Sequence, residues 1–348
     1  VMFPKGRSSA LVYGLNYKAR ALDSQKKTTR NCFLIGTLTL SEQNQIHHVE
    51  VNEELTDVKR VAIYDHPHEI WSIACSPHDS EQFFTVYNTV PDFKASLWKM
   101  GSNNKLTEIG QLGAHTGQIN SLLWDPLDKS RVTTTDAAAI RQWDVSTLQQ
   151  TVELKGGELD NFTSGAPVPT KGNQFAVACN DTVKFFDLSA GKEAIVIPHA
   201  HEFGVRDVHV NPNSKFYCVT GGDDSRVRFW DTRNVKTPVA TFSKHQHWVT
   251  RVSYNGWKDA MVLSAGSCGV VNLWNMSSIA YQNISGDVEP IPASADHHVR
   301  SYVDHEDGIT GLAWSSGGNQ FLFATLSYDG RVIINKVPDN EVKAVLSM

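Results

Sequence analysis

Four stretches of the chain repeat one pattern of residues at nearly constant length. Each stretch begins with a histidine, has an apolar residue four positions later, and ends on a tryptophan 28 to 32 residues after the histidine: His66 to Trp98, His115 to Trp143, His201 to Trp230 and His245 to Trp274. A fifth copy begins at His305 and ends at Asn335, where the other copies have tryptophan. A repeat of this length is one small unit that cannot bury its apolar faces alone, so several copies must pack against one another.

The spacing of the copies predicts an all-β fold, a seven-bladed WD-repeat β-propeller. Equivalent third-strand ends recur every 43 to 49 residues, with a single interval of 61, at positions 49, 98, 143, 186, 230, 274 and 335. Propellers reach this length as one unit, so we expect residues 1–348 to form a single domain. The long interval contains Pro and small residues with little periodicity, which predicts a surface insertion at 277–296 between blades six and seven.

Alternating apolar residues predict the strands within each blade. Blade five is the clearest example, with an inner strand at 205–210, a turn at Asn211-Pro212-Asn213, and later strands near 216–220, 226–230 and 238–242. Outer strands are also predicted at 58–63, 106–112, 151–154, 194–197, 299–303 and 341–346. Because the last blade then has its own outer strand at Glu341 to Leu346, we expect the ring to close by packing of blade faces and not by strand exchange between the chain ends.

Polar residues in blade five stand at the spacing of a buried hydrogen-bond tetrad: His201, Thr220, Asp224 and Trp230. The imidazole can contact the carboxylate on one side and the hydroxyl on the other, and the indole N–H completes the chain. Other blades depart from the set. Cys268 replaces the aspartate in blade six, Asp136 falls one residue early in blade three, Asn335 replaces the tryptophan in blade seven, and blade four has Phe186 and Glu158. We expect the incomplete blades to depend more on apolar packing.

The same register explains the histidine pairs that are spaced like metal ligands. One member of each of the pairs His66/His68, His199/His201 and His245/His247 is the histidine of the repeat, which favours a structural role over zinc binding. No metal and no cofactor are expected. No phosphate-binding, metalloprotease or nucleophile-elbow motif occurs, so we expect no catalytic residues and no enzyme activity.

Composition excludes several classes of partner. The chain has 32 Lys and Arg against 37 Asp and Glu, a formal net charge of -5 and no basic run, so nucleic-acid binding is not expected. No apolar stretch approaches the ~20 residues that cross a bilayer, so no membrane insertion is expected. The five cysteines are widely separated and form no CxxC pair, which indicates reduced thiols in a cytosolic protein.

Strand periodicity also predicts which residues reach the mouth of the central channel. The neighbours of each apolar inner-strand residue, and the residue before the tetrad aspartate, point there. Four of these residues are of types that dominate interface energetics, and we expect them to bind a partner: Trp71, Arg206, Trp248 and Tyr328. The alternative is that they only cap the channel rim.

Several short motifs are not part of the general repeat pattern: His68-Glu69-Ile70-Trp71, Phe162-Thr163-Ser164-Gly165, His247-Trp248-Val249 and Leu326-Ser327-Tyr328-Asp329-Gly330-Arg331-Val332, together with Tyr13-Gly14-Leu15 near the start. With these motifs the chain resembles the EARP- and GARP-interacting WD-repeat protein family. The resemblance covers nearly the whole chain. It implies a non-enzymatic adaptor that binds the EARP and GARP tethering complexes and supports endosomal recycling, retrograde transport and dense-core vesicle cargo sorting. It also implies a cytoplasmic protein at the surface of endosomes and the trans-Golgi network.

A second function remains open from the sequence. The segment from Thr220 to Arg233 fits the WDxR box of substrate receptors for a cullin-4 ubiquitin ligase, with Arg233 as the contact to the ligase adaptor. Aspartate and arginine after the tryptophan are also common in ordinary repeats.

Overall fold

The chain forms seven four-stranded antiparallel sheets arranged in a ring. A computed structural model describes residues 10–40, 43–89, 92–101, 104–113, 115, 117–280 and 293–347. In these parts of the chain every sheet has four strands, and each inner strand contacts the inner strands of the two adjacent sheets. The prediction of a seven-bladed propeller is therefore confirmed.

The blades follow one another along the chain, with strands ordered from the channel outwards. Blade one contains β2 (Ala19–Ser24), β3 (Asn31–Thr37), β4 (Asn44–Val51) and β5 (Val58–His66); blade two contains β6 (Ser72–Cys75), β7 (Gln82–Thr89), β8 (Asp92–Met100) and β9 (Leu106–Leu112). Blade three contains β10 (Ser121–Trp124), β11 (Arg131–Thr135), β12 (Ala139–Asp144) and β13 (Gln150–Lys155); blade four contains β14 (Phe162–Pro167), β15 (Gln174–Cys179), β16 (Thr182–Asp187) and β17 (Lys192–Ile197).

The second half of the ring repeats this arrangement. Blade five contains β18 (Val205–Val210), β19 (Tyr217–Gly222), β20 (Val227–Asp231) and β21 (Ala240–Phe242). Blade six contains β22 (Val249–Tyr254), β23 (Met261–Gly266), β24 (Val271–Asn275) and β25 (His297–Tyr302). Blade seven contains β26 (Ile309–Trp314), β27 (Leu322–Ser327), β28 (Arg331–Lys336) and the N-terminal strand β1 (Leu11–Gly14).

The core lies between blades, because successive side chains of a strand point to opposite faces of its sheet. Strand β20 shows this directly. Phe229 packs against Val249 of blade six, whereas the next residue, Trp230, packs against Phe185 and Ile197 of blade four. Both aromatic side chains are at most 3% exposed. Each blade therefore depends on both of its neighbours for burial.

The ring closes by pairing the two ends of the chain. Strand β1 lies antiparallel to β28, with Leu11 opposite Ile334 and Tyr13 opposite Val332, and the Leu15 N–H donates to the Gly330 carbonyl at 3.1 Å. The expectation of closure by face packing alone is wrong. A fourth strand is still needed to cover the edge of β28, and the N-terminal segment supplies it.

The C-terminal segment that we predicted as an outer strand is instead part of helix α2 (Asp339–Ser347). Its apolar residues Val342 and Val345 are three positions apart, so they share one face of a helix. Val345 is fully buried against the core between blades six and seven, and Val342 packs beside it. The backbone N–H groups of Glu341 and Val342 both lie 3.0 Å from the Pro338 carbonyl, so the helix begins just after this proline.

The predicted insertion at 277–296 lies inside blade six and not between blades six and seven. The reason is that β25 pairs with β24 and completes blade six, so the segment connects its third and outer strands. Residues 281–292 lie outside the described residues. The two described ends meet, since the Ser278 N–H donates to Asp296 Oδ1 at 2.9 Å beside the short helix α1 (Ser277–Ala280).

The pairing of β1 can be tested by truncation. Removing residues 1–14 should lower the free energy of unfolding by about 3 kcal/mol, because several ladder hydrogen bonds of ~1 kcal/mol each are lost and the edge of β28 is exposed. Thermal and urea unfolding measure this loss. The matched control removes residues 1–9 and leaves β1 intact, and it should unfold with a nearly unchanged midpoint. Equal stability of the two truncated chains would contradict closure by β1.

Candidate functional site

The hydrogen bonds of blade five join the four residues of the predicted tetrad. His201 Nδ1 lies 2.8 Å from Asp224 Oδ1, and His201 Nε2 lies 2.8 Å from Thr220 Oγ1. The Trp230 indole N–H donates to Thr220 Oγ1 at 3.0 Å. All four side chains are buried, so this network ties the segment before the inner strand to β19 and β20.

The network holds Asp224 ionised and His201 neutral. Burial opposes ionisation of Asp224, but the donors His201 and the Glu202 N–H, together with the charge of Arg228, outweigh it and keep the pKa of Asp224 below its usual range. Burial lowers the pKa of His201, although Asp224 acts in the opposite direction. A neutral imidazole donates from Nδ1 to Asp224 and accepts the Thr220 hydroxyl proton at Nε2.

Other blades keep a shorter version of this network, in which a hydroxyl accepts the indole N–H and contacts the histidine. The His–hydroxyl and hydroxyl–Trp distances are 3.0 and 2.8 Å for His66–Thr85–Trp98, 2.9 and 2.8 Å for His115–Thr134–Trp143, and 2.7 and 2.8 Å for His245–Ser264–Trp274. Blade seven keeps only the pair His305–Thr325, at 2.8 Å.

The aspartate is what these shorter networks lack. Within the described residues, Nδ1 of His115, His245 and His305 has no hydrogen-bond partner. Burial lowers the pKa of each of these three histidines to about 4. In blade six Cys268 stands at the aspartate position, as the sequence shows, and does not bond to His245.

The aspartates of blades three and seven bind elsewhere. Asp136, one residue early, pairs with the Arg141 guanidinium and accepts the Ala139 N–H at 2.9 Å. Asp329 stands at the aspartate position of blade seven, but it accepts from the Ser327 hydroxyl and from the Arg331 N–H and does not bond to His305. These carboxylates therefore stabilise their own turns.

Blades four and one replace the network with other polar pairs, which the sequence did not predict. In blade four Lys184 lies 2.8 Å from Asp160, two residues after the expected position at Glu158. In blade one His48 Nε2 lies 3.1 Å from Gln25 Oε1. The expectation that the incomplete blades depend more on apolar packing did not include these polar pairs.

We define the upper face as the segments that lead into the inner strands together with the turns between second and third strands. Two predicted partner-binding residues meet on this face. The Arg206 guanidinium lies 4.3 Å from the centre of the Trp248 ring, and Arg206 also pairs with Asp223. Trp248 is 43% exposed, so its ring is accessible although a cation covers one side of it.

The other two predicted residues are each covered by a cation from blade one. Arg20 lies 4.7 Å from the centre of the Trp71 ring, and Lys18 lies 5.5 Å from the centre of the Tyr328 ring. The Trp71 indole N–H also donates to Glu69 at 3.1 Å, and the ring is half-buried. Trp71 and Tyr328 are thus linked through Lys18 and Arg20 at the start of β2.

Sequence reasoning missed two exposed apolar residues on the upper face. Phe203 is 65% exposed and Leu159 is 89% exposed. The loops that carry Leu159 and Phe203 both contact Asn180. Its side chain donates to the Leu159 carbonyl at 2.9 Å, and its carbonyl accepts the Val205 N–H at 2.7 Å. Leu159, Phe203 and Trp248 are therefore accessible apolar side chains on the upper face of blades four, five and six.

Arg233 lies after β20, on the face opposite to Trp248. Its guanidinium pairs with Asp231 at 2.6 Å, donates to the Tyr217 hydroxyl at 2.9 Å and lies 4.5 Å from the centre of the Phe216 ring. These contacts give Arg233 a role within blade five. Neither they nor the relatives described below favour the ligase-receptor function.

The pairs of histidines do not form metal sites in the described part of the chain. No three His, Cys, Asp or Glu side chains converge there in a way that could hold a metal ion. His66 Nδ1 contacts the His68 carbonyl, and His247 Nδ1 contacts the Ser267 hydroxyl. All five cysteines are unpaired. The helices among the described residues are too short and too polar to cross a membrane.

Seven blades, with buried histidine, hydroxyl and tryptophan networks in several of them, define a WD-repeat β-propeller. The model of the WD domain, G-beta repeat, matches residues 296–334, and the model of the EIPR1 beta-propeller family matches residues 7–274. The chain belongs to the EIPR1 β-propeller family, which confirms the resemblance drawn from the sequence.

Curated relatives match over nearly their full length. The chain is 33% identical over 373 residues to the human EARP and GARP complex-interacting protein 1, covering 94% of this chain and 96% of the relative. It is 34% identical over 393 residues to the EARP-interacting protein homolog of Dictyostelium discoideum, covering 97% of both chains. It is 33% identical over 346 residues to the WD repeat-containing protein DWA2 of Arabidopsis thaliana, covering 96% of this chain and 98% of the relative.

The difference between complete and incomplete networks generates a stability prediction. Asp224→Ala should lower the free energy of unfolding by about 3 kcal/mol, because it leaves the buried His201 N–H without an acceptor and Arg228 without its carboxylate. The matched control is Asp329→Ala in blade seven, where His305 Nδ1 already has no partner; it should cost less than about 1 kcal/mol. Urea unfolding followed by tryptophan fluorescence measures both values. Equal losses of unfolding free energy in the two variants would show that the contact between His201 and Asp224 adds no stability to the shorter network.

Proposed function

We propose that this chain is a non-enzymatic adaptor that binds the EARP and GARP tethering complexes through its upper face. The printed names of the human and Dictyostelium discoideum relatives support the choice of partner. The exposed Trp248 beside the guanidinium of Arg206, together with the exposed Phe203 of the same face, supports the choice of face. As the sequence resemblance implies, the adaptor then supports endosomal recycling, retrograde transport and dense-core vesicle cargo sorting at endosomes and the trans-Golgi network.

The chemistry of the upper face suits a protein partner. Tryptophan and arginine are the residue types most enriched among those that dominate binding energy. The Arg206–Trp248 pair is held in place by Asp223, so little side-chain freedom is lost when a partner covers it. The apolar area of Leu159 and Phe203 lies on the same side of the ring and extends the surface that a partner can bury.

The choice of face is tested by a matched pair of tryptophans. Trp248→Ala should weaken binding to purified EARP or GARP complex by about thirtyfold, the effect of removing a ~2 kcal/mol anchor. The control is Trp257→Ala. Trp257 is 48% exposed, close to the 43% of Trp248, but it lies in the turn after β22 on the opposite face. Its replacement should change the dissociation constant less than twofold.

Binding is measured by surface-immobilised complex titrated with each variant, after thermal unfolding has shown that both variants fold. Loss of binding with Trp257→Ala and not with Trp248→Ala would place the partner on the face opposite to the upper face. Unchanged binding for both variants, and for Phe203→Asp, would remove the upper face from the proposal.

A further inference from the structure

A groove runs along the outer rim of the ring between blades four and five and adjoins the upper face at His199 and Arg226. Its volume is about 490 Å³, within the range of ligand-binding clefts. One wall is the face of β20 that carries Trp230, Arg228 and the preceding residue Arg226, which alternate along the strand and so point the same way. The opposite wall comes from Pro198 and His199, which follow the outer strand of blade four.

The groove is positively charged although the chain as a whole is acidic. Its lining includes Arg226, Arg228 and Lys236 and has no aspartate or glutamate, whereas the net charge of the chain is -5. Arg228 is balanced by Asp224, at 2.9 Å, and also donates to the Ala200 carbonyl at 2.6 Å.

The other charges of the groove are not all balanced. His199 pairs with Asp181 at 2.6 Å and so adds no net charge. Among the described residues, the side chains of Arg226 and Lys236 have no ion-pair or hydrogen-bond partner. Two cations are therefore free to meet negative groups of a ligand, which is the complementarity that selects acidic partners.

The rest of the lining is mostly apolar. Pro198, Val235 and Pro238 contribute to it beside the ring of Trp230, and Thr241 adds a hydroxyl group. The distance along β20 from Arg226 to Trp230 is about 13 Å at 3.3 Å per residue, which matches about four residues of an extended chain. The outer strand β21 pairs with Val227 to Phe229 of β20, so the groove lies on the face of this sheet that is turned towards blade four and not along an unpaired strand edge.

We propose that this groove binds an extended acidic peptide segment of a partner protein. The Arg226 guanidinium holds one carboxylate in a two-point contact, Lys236 attracts a second, and an apolar side chain between them packs on the prolines. Two free cations neutralise too few phosphates to hold a nucleic acid strand at physiological salt. The site adjoins the upper face at His199 and Arg226, but its test changes Arg226 whereas the test of the tethering-complex surface changes Trp248, so either assignment can fail without the other.

A fluorescence anisotropy titration tests the assignment with defined probes. The first probe is a labelled hexapeptide in which glutamate alternates with leucine, and the second has glutamine in place of each glutamate. At about 50 mM salt the acidic peptide should bind at least tenfold more tightly than the neutral one, and Arg226→Glu should remove about tenfold of its affinity.

The matched control is Lys192→Glu, which makes the same change of charge on an exposed residue of β17 outside the groove. Binding of the acidic peptide should change less than twofold in this variant. Equal binding of the two peptides, or equal loss with Lys192→Glu and Arg226→Glu, would overturn the proposal. The choice of a peptide would be overturned if a labelled single-stranded oligonucleotide bound more tightly than the acidic peptide and if Arg226→Glu weakened that binding.

Discussion

The fold depends on burial between blades, because a four-stranded sheet has two apolar faces and cannot cover either by itself. Phe229 and Trp230 are neighbours on one strand, yet they belong to the cores of two different interfaces. Such a stack is stable only when it has no uncovered end. The pairing of β1 with β28 gives blade seven its fourth strand from the opposite end of the chain, and this joins the first and last blades covalently.

Burial between blades is needed in every blade, whereas the buried polar networks differ from blade to blade and the fold is kept. Blade five has all four members, three other blades lack only the contact to aspartate, and blade four uses the pair of Lys184 and Asp160. The shared element is a hydroxyl that accepts the indole N–H, as Thr220 does in blade five. The aspartate accepts the Nδ1–H of the histidine and orients Arg228, so it links the interior of blade five to the rim groove.

The sequence predicted the number of blades and most of their strands, because the period of two and the repeat length follow directly from burial. It failed at the two chain ends, where Val342 and Val345 fit a helix better than a strand and Tyr13 lies in β1, the strand that was not predicted.

On the upper face the sequence predicted Trp71 and Trp248 from their position beside an inner-strand residue. It missed Arg20 because blade one has no histidine to set the register, although Arg20 occupies the slot that Arg206 occupies in blade five. Phe203 and Leu159 lie in loops, where periodicity carries no information about exposure.

In the proposed function the upper face of the ring binds the partner and the opposite face does not. Hydrogen–deuterium exchange of the chain, alone and with purified tethering complex, tests this most directly. We predict slower exchange on binding in the segments around 199–206, 246–250 and 327–330, and unchanged exchange in the turns around 211–216 and 255–260. Slower exchange confined to the latter turns would contradict the account.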